Sequence, residues 1–340
     1  MSKILVTGGT GFIGSHTVVE LHNAGYEVII VDDFSNSNPK ILQQLETITG
    51  SKPEFVELDL CDEAKVKDFV SQHNDITGVI HFAAFKAVGE SVQQPLKYYR
   101  NNFYSLINLI NAFNSKVNLV FSSSCTVYGQ PDVLPVTEDA PTKKAESPYG
   151  NTKQIAEEIL QETCAVTPEL KVTSLRYFNP VGAHATALIG ELPIGVPQNL
   201  VPFITQSAIG KRGPITVHGN DYNTPDGSAI RDYIHVVDLA KAHVAAIKRL
   251  ESKKATSNYE VFNLGTGKGS SVLQIIDAFE QSTGVKLNYT IGPRREGDIE
   301  KVWGDVTKSS TNLEWKAELG LNEMMSSAWK WEQYLQDNPF

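Results

Sequence analysis

Tyr149 and Lys153 stand four residues apart in Ser147-Pro-Tyr-Gly-Asn-Thr-Lys153, and Pro148 opens a helix-forming run that extends through Cys164. On a helix this spacing puts both side chains on one face, a turn apart. A free phenol, with a pKa of about 10, is a poor base at neutral pH. A neighbouring ammonium favours the phenolate, which makes the pair a candidate for taking a proton from a hydroxyl group. Ser124, in Phe121-Ser-Ser-Ser-Cys-Thr-Val-Tyr-Gly129, carries a hydroxyl suited to share a substrate oxygen with Tyr149. Tyr-x-x-x-Lys alone occurs by chance on many surface helices, so its meaning depends on what accompanies it.

Near the start of the chain, Thr7-Gly-Gly-Thr-Gly-Phe-Ile-Gly14 joins an apolar run to an amphipathic one. Gly8 permits a tight turn, Gly11 lets backbone approach a pyrophosphate, and Gly14 lets helix pack on strand. The amides that follow, from Phe12 and Ile13 onward, then face the phosphates. Asp32 ends the second apolar run, where an acid accepts from the hydroxyls of an adenosine ribose. Asp33 follows it with no Arg adjacent, and two carboxylates repel a 2′-phosphate, which favours NAD over NADP. A positive nicotinamide is a second charge favouring the Tyr149 phenolate, and Lys153 can also hold the nicotinamide ribose. Asp59 and Leu60, after the third run, are placed to bracket the adenine; a helix cap is the competing role for Asp59.

These groups need a frame that brings them to one edge. Short apolar runs at 3–7, 27–31, 54–57, 78–82 and 118–121 read as strands, with helices between them at 11–23, 39–49, 62–72 and 95–113. Near-continuous apolar strands suit burial on both faces. Strand, helix, strand at this spacing predicts an α/β fold: a doubly wound parallel Rossmann sheet with right-handed crossovers. Ligands of such sheets bind at the carboxyl edge, where Ser124 and the glycine turn fall. Residues 179–199 are rich in Gly, Pro and Ala and read as a functional loop. Beyond it, helices at 199–209, 235–250, 272–283 and 321–335, with strands near 215–217, 259–264 and 286–290, form a smaller α/β domain. The division is residues 1–180 for the dinucleotide and 181–340 for the substrate, with a segment near 230–265 able to return to the first domain.

At 340 residues the chain exceeds the roughly 250–300 at which single cores stop growing, in keeping with two joined domains. A net charge of −9 argues against a nucleic-acid partner. Cys61, Cys125 and Cys164 show neither metal-ligand spacing nor a disulfide framework, so no metal is expected. No leader pattern and no long apolar run is visible, and the expectation is a cytoplasmic protein without membrane association.

The glycine turn, the serine run and Tyr-x-x-x-Lys, in this order, resemble the extended short-chain dehydrogenase/reductases. Longer strings resemble the UDP-galactose 4-epimerases among them: His81-Phe-Ala-Ala-Phe-Lys-Ala-Val-Gly-Glu-Ser91, Arg176-Tyr-Phe-Asn-Pro-Val-Gly-Ala-His184, Gly219-Asn-Asp-Tyr222, Arg231-Asp-Tyr-Ile-His235, Asn263-Leu-Gly-Thr-Gly267 and Arg294-Arg-Glu-Gly-Asp298. The resemblance covers essentially the whole chain. It implies that Tyr149 takes the proton of the sugar's 4-hydroxyl while hydride passes from carbon 4 to NAD. The 4-keto sugar then turns over, and hydride returns to its other face. It implies that Lys153 tunes Tyr149 and that Ser124 positions the 4-oxygen. Asn36, Phe82, Ala83, Lys86, Asn101 and Tyr177 line the cofactor by the same resemblance, with Lys86 also facing substrate. Phe178, Asn179 and Tyr233 fall near the sugar and diphosphate. Arg231 and Arg295 match the phosphate-binding positions, Asn199 and Leu200 open a helix toward the diphosphate, and Asp298 takes a uridine ribose hydroxyl. The family also implies tightly held NAD, a UDP-hexose substrate and a homodimer.

Three positions depart from the family pattern. His218 stands where an aromatic ring usually faces uracil. Val302, smaller than a tyrosine and larger than a glycine, leaves tolerance of an N-acetyl group at carbon 2 open. Cys125 replaces a frequent alanine and packs as a small residue. A nucleotide-sugar 4,6-dehydratase shares the frame but needs an acid pair beside the serine, which Ser124-Cys125-Thr126 does not supply. A sugar-nucleotide decarboxylase has nothing in its favour. A non-catalytic dinucleotide sensor is the alternative of another class; it has no use for Ser124, Tyr149 and Lys153 together. His81, His184 and His235 are expected to be structural.

Overall fold

The computed structural model describes residues 2–295 and 299–340. Its strands are β1 Lys3–Thr7, β2 Glu27–Asp32, β3 Glu54–Glu57, β4 Ile76–His81, β5 Asn118–Ser124, β6 Lys171–Tyr177, β7 Asn179–Val181, β8 Ile215–His218, β9 Ile230–His235, β10 Tyr259–Leu264, β11 Gly269–Ser271, β12 Tyr289–Gly292 and β13 Lys301–Val302. Its helices are α1 Phe12–Asn23, α2 Lys40–Thr49, α3 Glu63–Gln72, α4 Val88–Gln93, α5 Pro95–Ala112, α6 Pro148–Val166, α7 Leu200–Ala208, α8 Val236–Glu251, α9 Val272–Thr283, α10 Thr307–Asn312 and α11 Leu321–Asp337.

Seven strands form one parallel sheet in the order β10-β6-β5-β4-β1-β2-β3. Successive residues of β1 show why both faces are covered. Ile4 and Val6 pack with α1, α2 and α8 through Val18, Leu45 and Ile247. Leu5, between them, packs with α3, α5 and α6 through Phe69, Leu106 and Leu160. Each such side chain gains about 1.5–3 kcal/mol from burial, so the apolar runs commit the strands to the centre of three layers. The strand order reverses between β1 and β4, which opens a crevice at their carboxyl ends.

The second lobe has its own apolar core, in which Val201 and Ile204 of α7, Ile275 and Phe279 of α9 and Met324 and Met325 of α11 meet Ile215 and Val217 of β8. A separate small sheet runs β11-β9-β13, with β7 on β9. The chain crosses back twice: β10 pairs with β6 and α8 packs on the face of α1, and after β13 Leu313 and Trp315 join the same core.

Several elements differ from the sequence pattern. No strand is expected over β6, β9, β11 or β13, and no helix over α4. The strand expected at 286–290 is β12, at Tyr289–Gly292. The 179–199 segment begins as β7 before turning irregular.

Candidate active site

Gly8, in the left-handed region at φ 69°, turns the chain out of β1. A Cβ there would stand 2.8 Å from the amide of Ala83, so the glycine turn and the segment after β4 are in backbone contact. A Cβ on Gly14 would run into the Gly8 carbonyl oxygen. Gly11 caps α1 with no side-chain hydrogen bond, which leaves the first-turn amides of Phe12 and Ile13 turned outward at the positive end of the helix. This cradle fits a pyrophosphate.

Asp32 is buried at the end of β2, and its carboxylate accepts from the Thr10 amide at 3.1 Å and from the Phe34 amide and Ser37 hydroxyl at 3.0 Å each. Ser37 also meets the Thr10 hydroxyl at 2.7 Å, so it ties the glycine turn to the acid. The sequence pattern gave Ser37 no role, and its contacts reach back 27 residues. Asp33 and Asn36 are exposed on the same turn. Asp59 is exposed and accepts from the Cys61 amide at 2.8 Å, while Leu60 is buried beside it. The cap of α3 is Asp62, which accepts from the Lys65 amide, so the helix-cap role does not fall to Asp59.

The chemical end converges on the carboxyl ends of β4, β5 and β6. Each serine at the end of β5 has its own partner. Ser122 bonds the Tyr177 hydroxyl, and its carbonyl accepts from Lys153 Nζ at 2.7 Å. Ser123 donates to Glu157 at 2.5 Å. Ser124 caps the short 3-10 turn Cys125–Tyr128 and has Tyr149 as a hydrogen-bonding neighbour. Tyr149 and Lys153 share a face of α6, with Nζ 6.0 Å from the Tyr149 ring centroid and 4.9 Å from that of Phe121. Lys153 is buried, and burial draws its ammonium down to about 8, against the attraction of Glu157. Burial and the facing Tyr177 push the Tyr149 phenol up; the Ser124 hydroxyl works the other way. In the chain without its cofactor, burial is the largest influence on the Tyr149 phenol and acts against the phenolate.

Phe82 lies against His243 with ring centroids 4.6 Å apart, and its amide bonds the Thr7 carbonyl at 3.0 Å. Asn101 is half-buried on α5 beside Cys61. Its neighbour Asn102 holds the Phe85 amide at 2.9 Å and the Thr152 hydroxyl at 3.0 Å, which joins the post-β4 segment to α6 next to Lys153. That link was not legible, because an Asn on an amphipathic helix is ordinary.

The substrate candidates come from the second lobe. Arg231 lies in register with Val302 across β9 and β13, and Asn179 with Tyr233 across β7 and β9. Tyr233 is buried with the core cluster of that lobe. Phe178 is buried under Gly304, where a Cβ would clash with its ring. Asp232 pairs with no arginine among the described contacts. It is fully buried and accepts from the Thr266 amide at 2.8 Å, the Thr266 hydroxyl at 2.7 Å and the Gly267 amide at 3.1 Å. It thus fixes the strand that carries Arg231.

Arg294 stacks over Tyr222 at 4.1 Å and pairs with Asp221 at 2.8 Å, while Arg295 is exposed beside it. His218 ends β8, half-buried, with Nδ1 3.3 Å from the Pro293 carbonyl. Asn199 caps α7 by position only; its amide donates to Glu191 at 2.6 Å, and Leu200 begins the helix. Glu191 also holds Lys86 at 3.3 Å. Asp298 lies outside the described residues.

A family profile described as GDP-mannose 4,6 dehydratase matches residues 5–328. The UDP-glucose 4-epimerase of Dictyostelium discoideum is 49% identical over 332 residues, 97% of this chain and 95% of that protein. Among solved structures, the UDP-glucose-4-epimerase of Stenotrophomonas maltophila, with bound NAD and formylated UDP-arabinopyranose, superposes at a TM-score of 0.95 with 45% identity and 99% of each chain covered. That of Bifidobacterium longum, in complex with NAD+ and UDP, gives 0.92 at 46% identity, again with 99% of each chain covered. The chain belongs to the UDP-glucose 4-epimerase family. Membership accounts for what the dehydratase profile does not: an epimerase needs no acid after Ser124, and Cys125 and Thr126 supply none. The epimerase frame is the doubly wound α/β sheet with a smaller carboxyl-terminal lobe described above.

Proposed function

We propose that the chain interconverts UDP-galactose and UDP-glucose by transient oxidation at carbon 4 of the hexose, with NAD retained through the cycle. The observation that carries this is the convergence of Ser124, Tyr149 and Lys153 at the sheet edge that also holds the glycine cradle. NAD, when bound, supplies a hydride acceptor for carbon 4 and a second positive charge, beside that of Lys153, that favours the Tyr149 phenolate. Gly11, Phe12 and Ile13 hold its pyrophosphate and Asp32 its adenosine ribose, while Lys153 reaches the nicotinamide ribose. Tyr149 removes the 4-hydroxyl proton and later returns it, and Ser124 orients the 4-oxygen. Arg231, Arg295 and the start of α7 anchor the diphosphate, so the oxidised sugar can turn without leaving. The sensor alternative has no use for such a triad, and an N-acetylated hexosamine substrate is the milder alternative that Val302 leaves room for.

The test is proton NMR of the purified protein with UDP-galactose and no added cofactor. We expect the anomeric signal of UDP-glucose to appear. Unchanged UDP-galactose, with and without added NAD, would overturn the proposal.

We further propose a homodimer, built on the outer faces of α5 and α6, where Leu96, Tyr104 and Val166 are exposed. No helix among the described residues is long and apolar enough to cross a membrane. Three unpaired cysteines in a chain with such a fold support a reducing, cytoplasmic setting.

A further inference from the structure

Behind Lys153 lies a buried polar chain that the mechanism above does not use. Glu157 continues the Tyr149, Lys153 face of α6 by one more turn and is 6% exposed. Its carboxylate takes the Ser123 hydroxyl at 2.5 Å and a fork from Arg176, Nε at 3.0 and 3.2 Å and Nη2 at 2.5 Å. Arg176, also 6% exposed, donates onward to the Tyr128 hydroxyl at 3.0 Å and the Glu138 carbonyl at 3.1 Å. Tyr128 donates to Asn263 at 2.7 Å, and Asn263 donates to the carbonyls of Val136 at 2.9 Å and Asp305 at 3.3 Å. Val136 in turn bonds Trp303, the residue after β13. The chain of bonds therefore runs from the catalytic helix to the strand that carries Val302.

Surface chemistry does not require such a device, and two buried charges are costly to desolvate. A hydrophobic pair would hold α6 on β6 as well. What a carboxylate adds is negative potential one turn from Lys153, in a place where the field is poorly screened. We propose that Glu157 is a positioning residue for the reaction: its carboxylate, locked by Ser123 and Arg176 one turn along α6, holds the Lys153 ammonium in its working state. This rests on the assignment of Lys153 to the site.

Among the described residues, the groups that face Lys153 leave no other source for that charge. His81 on β4 is neutral, held by burial at about 3, and is bonded to Thr7. Tyr149, on α6, is a protonated phenol in the chain alone, and Tyr98 of α5 and Tyr177 of β6 lie beyond it. The Ser122 carbonyl accepts from Nζ but carries no net charge. Arg176, on β6, lies behind Glu157 and is bonded to it. Burial lowers Lys153 to about 8, with Glu157 acting in the opposite sense.

The experiment measures kcat against pH by quenched proton NMR on the NAD-loaded protein. Glu157→Gln alone leaves a buried guanidinium unpaired and risks unfolding, so the informative variant is Glu157→Gln with Arg176→Met, which removes both charges. Retained NAD and a parental melting temperature establish that it folds. We expect its alkaline limb, where activity is lost as Lys153 discharges, to move to lower pH by about one unit. Lys153→Arg, whose guanidinium does not titrate in this range, should lack the limb. A limb retained in Lys153→Arg overturns the assignment of Lys153 and the proposal with it. A limb lost in Lys153→Arg but unmoved in the folded double variant overturns the role of Glu157 alone.

Discussion

In the chain by itself, burial and Tyr177 keep the Tyr149 phenol protonated, while burial draws the Lys153 ammonium toward discharge at about 8. Below about pH 8 the lysine is still an ammonium, and a further positive charge in the crevice favours the Tyr149 phenolate, so proton removal is expected to be easier with NAD bound. Tyr149→Phe should then lower kcat by about 10²–10⁴-fold, the usual contribution of a placed acid–base group. UDP binding and NAD content should stay near parental, because the phenyl ring fills the same space. Near-normal turnover in an NMR assay would refute the role. Tyr149, Lys153 and Ser124 were legible as candidates because the Tyr-x-x-x-Lys spacing, the glycine turn and the serine run occur together in the order the family shows. Ser37, Asn102, Glu157 and Asp232 were not legible as working residues. Their partners lie far off in sequence, as Asn102 with Thr152 does, and nothing in the local pattern marks a buried polar group as such.

At the scale of elements, the apolar strands β1, β2 and β4 could be placed from the sequence because their composition admits no other state. β6 escaped because Lys171-Val-Thr-Ser-Leu-Arg-Tyr177 reads as half polar, yet Thr173, Ser174 and Arg176 are all buried. β9 escaped for the same reason: Arg231 and Asp232 belong to a charged string, and only the fold reveals that Asp232 is clasped by the 265–267 turn. Buried polar strands need tertiary partners to be stable, so their sequences cannot announce them. α5 shows the converse. Its inner face, with Leu106 and Leu109, is spoken for, yet Leu96 is 81% and Tyr104 51% exposed on the outer one, and Val166 of the adjoining α6 is 80% exposed. An apolar stripe of this kind on paired helices suits a two-fold contact with a second copy. Sedimentation equilibrium should give twice the chain mass for the parent protein and the chain mass for Leu96→Glu with Tyr104→Glu. A parent that sediments as a monomer would sink the proposal.

Across the whole molecule, four imidazoles are sealed in as neutral groups: His16, His81, His235 and His243 are each at most 3% exposed. Burial holds His16 and His81 at about 3 and His235 and His243 at about 4, below the unfolded value of 6.5. The unfolded chain therefore binds more protons between these values. The stability the four groups confer is complete above pH 6.5 and drains away as pH falls toward 4, at about 1.4 kcal/mol per pH unit for each. Asp232, Glu138 and Glu20, raised by burial, act in the opposite sense as they take up protons. As pH falls below 6.5 the fold should soften as the contribution of the four histidines is lost, offset in part by these three carboxyls. His243 isolates the effect. It lies beneath Phe82 and Tyr177, its Nδ1 bonds the Leu239 carbonyl a turn back, and its Nε2 has no hydrogen-bond partner among the described residues. His243→Leu removes one titrating group from an apolar setting of similar volume. Melting temperatures with saturating NAD, measured from pH 7.5 to 5, should fall less steeply for this variant than for the parent. The two curves should diverge only below pH 6.5; parallel curves across the range would show that His243 is not held neutral by the fold.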